Sequence, residues 1–169
     1  IPTDVILFNI DSKTENSNGT KDKILDVFEK VFNEKMGLSI TPFVAEIERH
    51  IISLEKYEEF KKAFEEKANS SWEEMRDEFA NAYAEVLGKS VEEARNIVER
   101  TEKNYTLSVE KFAERVRDYI KSKGNNHHVI FLVDEIGQYI GDDRSLMLNL
   151  QTIVEDLGLE CGGKAWVIV

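Results

Sequence analysis

The sequence predicts an α/β protein, with a partial parallel sheet of about three strands and a large all-helical insertion between the first and the second. Three observations predict it. Val129, Ile130, Phe131, Leu132 and Val133 form an unbroken apolar run rich in β-branched and aromatic side chains, which reads as a strand buried on both faces, as in parallel sheets. Similar strand-like runs stand at residues 4–10 and 165–169. Between the first run and the central one lie roughly a hundred residues with apolar positions at helical spacing, far more chain than the roughly dozen residues an ordinary crossover needs.

After the strand at 4–10, the polar stretch 11–19 is rich in turn residues and reads as a loop. From Thr20 the period becomes helical, with Ile24, Val27, Phe28, Val31 and Phe32 on one stripe and Gly37 as the stop. Thr41 followed by Pro42 reads as an N-cap and first-turn proline for a helix carrying Phe43, Ile47, Ile51 and Leu54. Tyr57, Phe60 and Phe64 continue the pattern, as one bent helix or as two broken near Ser53. Ser71 with Glu74 fits a capping box, and Trp72, Met75, Phe79, Tyr83 and Val86 follow at helical spacing up to Gly88.

Ser90 with Glu93 repeats the box, for a shorter helix with Val91, Ala94, Ile97 and Val98. Another helix opens near Ser108, buries Val109, Phe112, Val116 and Ile120, and closes at Gly124. Beyond the central strand, Asp142 or Asp143 caps a helix with the stripe Leu146, Leu150, Ile153, Val154 and Leu157, ended by Gly158. Gly162, Gly163 and Lys164 then turn into the last strand, which should lie parallel to the central one. The chain so divides into 1–19, a first core strand and loop; 20–124, the helical insertion; and 125–169, the central strand, helix and following strand.

Composition narrows the classes of function. With 33 acidic against 22 basic residues the formal net charge is −11, which argues against a broad phosphate-backbone footprint and so against direct nucleic-acid binding. No apolar run reaches membrane-spanning length. Cys161 is the one cysteine, so no internal disulfide forms, and with three histidines there is little material for a zinc site. Cys161 reads as a packing residue, and a reducing cytoplasm fits. The chain lacks an initiator Met and begins and stops in strand-like runs, so the expectation is a piece of a larger protein; neither end resembles a signal peptide.

The chemistry concentrates after Val133. Asp134 and Glu135 follow the apolar strand at its carboxyl end, where ligands of open α/β sheets bind, and this is the pattern of a Walker B segment. One such carboxylate holds Mg²⁺ against nucleotide phosphates while its neighbour orients and polarises the attacking water. An acid at a strand end also arises simply where a chain emerges into water, and the aromatics of the helices are more often core than ligand box.

Residues 131–142, 146–155 and 163–169 resemble the BrxC family of P-loop ATPases from bacterial BREX phage-defence systems, and Phe8 to Lys13 and Trp72 to Arg76 are similar too. The resemblance implies a P-loop NTPase core of the AAA+ or additional-strand type, with the last strand beside the central strand and the central beside the first. It implies ATP and Mg²⁺ as cofactors, Asp134 in the magnesium role and Glu135 in the water-polarising role. It implies other BREX-system proteins, or further copies of the chain, as partners. The family's phosphate-cradling loop is absent from this sequence, which has no glycine-rich loop ending in Lys-Ser or Lys-Thr. The family match assigns no role to Gln138 or Tyr139. The expectation is therefore the Walker B half of an ATP-hydrolysing site, inactive alone, with a helical insertion for coupling or partner contact.

Two other classes remain. A helical protein–protein interaction module with no nucleotide chemistry would make the helices the working surface. A magnesium-dependent phosphatase or nuclease would use Asp11 with Asp134, but Lys13 stands where a phosphatase of the aspartyl-nucleophile type wants its second Asp.

Overall fold

The computed structural model describes residues 1–10, 23–66, 75–124 and 126–169. Among them are a three-stranded parallel sheet and eight helices, divided into two compact units: 1–35 with 107–169, and 36–106.

The first unit holds the sheet, β1 (Thr3–Asn9), β2 (His128–Asp134) and β3 (Ala165–Ile168), in the order β1-β2-β3 with both pairings parallel. Helices α1 (Lys23–Lys35), α6 (Val109–Lys123) and α8 (Arg144–Glu160) belong to the same unit. The stretch 20–124 is thus not a single helical body, for its first and last helices build the core under the sheet. Phe28 of α1 is the hub of that core, with ring centroids 5.3 Å from Phe8, 5.2 Å from Phe131 and 6.2 Å from Phe112. Such pairs add about 0.5–1.5 kcal/mol each to the burial of the rings.

Alternation along the strands divides the sheet into unlike faces. Ile6, Phe8, Val129, Phe131, Val133 and Ala165 are buried. The opposite parity carries Val5, Leu7, Trp166 and Ile168, exposed at 46, 73, 57 and 48%, with Ile130 and Leu132 only half-buried between them. The expectation that β2 is buried on both faces therefore holds for one face among the described residues. β3, paired on one side only among them, is an apolar edge of the kind that recruits cover.

Several local expectations need correction. Thr41 precedes Pro42 at the start of α2 (Pro42–Ser53) as expected, but its side chain makes no cap bond. Its own N–H instead bonds Ser39 Oγ at 3.0 Å. The helix does break after Ser53, where Glu55 takes φ +58°, and α3 (Tyr57–Glu65) follows. The Ser71–Glu74 capping box lies outside the described residues. Gly158 does not end α8: Leu157 and Cys161, one turn apart and both buried, hold the helix to the core past the glycine. Gly162 and Gly163, at φ +57° and +75°, make the stop instead.

The second unit packs α2, α3, α4 (Arg76–Leu87) and α5 (Val91–Asn104) around Ile51, Phe60, Phe79, Tyr83 and Val98. A buried carboxylate braces its entrance: Glu48 accepts from Ser39 N–H at 2.7 Å and from the Tyr57 hydroxyl at 2.8 Å. The Ser90–Glu93 capping box is formed in both directions, with Glu93 N–H to Ser90 Oγ at 3.2 Å and Ser90 N–H to Glu93 Oε2 at 2.9 Å. Ser90→Ala should therefore cost about 1 kcal/mol. Chemical denaturation would register it as a lower midpoint at unchanged slope.

Candidate functional site

β1 and β2 run in register from Thr3 opposite His128 to Asn9 opposite Asp134, so both strands reach the carboxyl end of the sheet together. Asp134 is exposed there as the last residue of β2 and, among the described residues, bonds no other side chain. By alternation it shares the less covered face with Leu132, and Asn9 shares it with Leu7.

Glu135 leaves the strand with φ +60° and ψ +13°, left-handed backbone for a non-glycine residue. That turn starts the short helix α7 (Ile136–Ile140), which the sequence reading did not anticipate; Gln138 and Tyr139 N–H groups both bond the Glu135 carbonyl at 3.1 Å. Buried Ile136 and Ile140, one turn apart, pin α7. Left-handed backbone at such a residue costs on the order of 1 kcal/mol, and strain of this kind clusters at functional sites. The Glu135 side chain returns to β1, where the Asn9 amide donates to Oε2. Asn9 is the site residue that sequence reasoning missed.

Gln138 is exposed and Tyr139 half-buried on α7. Asp143, not Asp142, caps α8, accepting from Ser145 and Leu146 N–H at 2.8 and 3.2 Å. Asp142 is exposed in the turn before it. Cys161 is buried against the Ala113 carbonyl, and burial first, with Glu160 nearby, pushes its thiol up to about 11, so it is a packing residue and not a nucleophile.

Magnesium suits this donor set in one way only. No group of three or more His, Cys, Asp or Glu side chains that could hold a metal stands among the described residues. A single exposed carboxylate such as Asp134 fits an ion that keeps several waters and arrives on substrate phosphates, the usual habit of Mg²⁺, rather than one held in a protein cage. The one Gly-Lys-Ser run, Gly88 to Ser90, does not form a phosphate loop. Gly88 ends α4 at φ +63° and the Ser90 hydroxyl caps α5.

The opposite end of the sheet is structural. Asp4 accepts from the Tyr119 hydroxyl at 2.5 Å, contacts His127 Nε2 at 2.8 Å and lies 3.7 Å from Lys35 Nζ. The Tyr119 bond first, then His127 and Lys35, hold its carboxyl below its ordinary value of 3.8 despite partial burial. A depressed folded value means stability that is full above pH 3.8 and fades as the pH falls through the lower folded value. Tyr119→Phe should move the Asp4 titration, followed by carboxyl NMR, back toward 3.8 and remove part of that acid-limb dependence.

No known protein family matches the chain, and no solved structure matches it. No helix among the described residues is long and apolar enough to cross a membrane.

Proposed function

We propose that this chain supplies the Walker B half of an ATP–Mg²⁺ hydrolysing site in a cytoplasmic BREX phage-defence ATPase of the BrxC type, its sheet being part of a P-loop core and 36–106 an inserted unit for coupling or partner contact. The observation that carries the reading is the adjacent pair Asp134 and Glu135 at the carboxyl end of the middle strand, with Glu135 held by Asn9 from the neighbouring strand. The open apolar sheet face supports it too, because parallel strands are ordinarily covered by helices on both faces.

Within this reading each residue has a separate task. Magnesium, if bound with ATP, would supply positive charge against the negative charge that develops on the phosphates. Asp134 offers that ion a hard oxygen donor at the strand end. Glu135 has one carboxylate oxygen engaged by the Asn9 amide and presents the other to a water, which it orients and whose proton it accepts. Asn9 is a positioning residue that acts through Glu135. The phosphate-binding loop comes from elsewhere in the parent protein.

The 169-residue chain alone should consequently bind ATP–Mg²⁺ weakly or not at all and should not turn it over. Calorimetric titration and phosphate release test this. Micromolar affinity or turnover by clean protein would refute the division of the site.

A further inference from the structure

Among the described residues, the packing of the 36–106 unit leaves a groove unfilled. Phe43 and Val44 of α2, Phe79 of α4 and Val98 of α5 floor a cavity of about 140 Å³, close to the volume that holds a single aromatic ring in other proteins. At its mouth Arg76 is ion-paired with Glu102 and stands 5.8 Å from the Phe43 ring centroid, which braces the rim. A wider depression of about 500 Å³ continues from it over α4 and α5, sharing Arg76, Val98 and Glu102. Arg95 answers Asp77 there at 3.2 Å. Glu78 and Glu99 line the same depression and make no ion pair among the described residues, so it carries net negative charge.

We propose that this groove is a docking site for a basic segment of a partner protein, one apolar side chain entering the cavity and a following Lys or Arg lying against Glu78 and Glu99. Charge complementarity selects this occupant. An anionic ligand meets the same carboxylates at a cost, and two copies of a chain with net charge −11 repel at long range. A lipid tail is too long for a cavity that takes one side chain. The apolar anchor sets the affinity and the acidic depression the choice of partner, as at other interfaces.

The test is an amide NMR titration of the full 169-residue chain with three capped pentapeptides. The first has one phenylalanine, two alanines and two lysines in that order; the second replaces the phenylalanine with alanine; the third replaces both lysines with glutamate. The first peptide should shift the amides of Val44, Phe79 and Val98, and each control should bind at least about tenfold more weakly, the Phe loss following from its buried area. Val98→Trp should abolish binding by filling the cavity. Glu99→Lys, an exposed change that spares the core, should weaken the first peptide at least about threefold and strengthen the third. Equal binding of the phenylalanine and alanine peptides would reduce the groove to plain surface charge and overturn the proposal. So would shifts confined to other residues, or none at millimolar peptide.

Discussion

Replacing Glu135 with Gln, in a protein that carries this chain together with a phosphate-binding loop, should leave ATP and magnesium bound while cutting hydrolysis by about two to four orders of magnitude. The amide keeps the shape of the side chain and its bond to the Asn9 amide, made through the remaining carbonyl oxygen, but it lacks the charge that the proposed mechanism uses to polarise water. Asn9→Ala should act in the same direction and more weakly, because it removes the constraint on Glu135 and not the carboxylate. The pair of variants separates chemistry from positioning: nucleotide affinity stays near wild type in both, and only the rate falls. Turnover at the wild-type rate by the Glu135→Gln protein would take Glu135 out of the mechanism and favour the helical interaction module.

The largest effect on stability should come from Phe28→Ala. Phe28 is fully buried, and its ring meets Phe8 on β1, Phe131 on β2 and Phe112 on α6, so its loss opens a cavity where two strands and two helices meet. Truncations of this kind cost about 3–5 kcal/mol, a large share of the stability of a domain this size. Phe28→Leu should recover much of the loss by refilling the volume. Denaturant melts read both, and a cost for Phe28→Ala under about 1 kcal/mol would mean that the aromatic cluster does not hold the sheet to its helices.

Much of the fold is legible in residue order, since patterns within a turn or a strand are local. The apolar run ending at Val133, the box at Ser90 and Glu93, and the stripe of α6 each contain their own explanation. What escaped depends on distant partners. Asn9 stands 126 residues from Glu135, and nothing local to it marks an ordinary strand-end asparagine as the residue that holds a carboxylate. Gly158 looked like a stop because intrinsic propensity favours one there, a preference of about 1 kcal/mol that the burial of Leu157 and Cys161 overrides. Thr41 looked like a cap, but its side chain makes no cap bond. The two ends of the 20–124 stretch read as one with its middle because an amphipathic stripe does not say which core it faces. Only the packing assigns α1 and α6 to the sheet.

The pairing of Asp134 with magnesium is tested most directly by measuring ATP affinity with and without Mg²⁺ for Asp134→Asn in a protein that supplies the phosphate-binding loop. The metal-dependent gain in affinity should be lost at Asp134→Asn and kept at Glu135→Gln, since the proposed site gives the first carboxylate to the ion and the second to the water. An Asp134→Asn protein that keeps the full metal-dependent gain would contradict a nucleotide site at the end of β2.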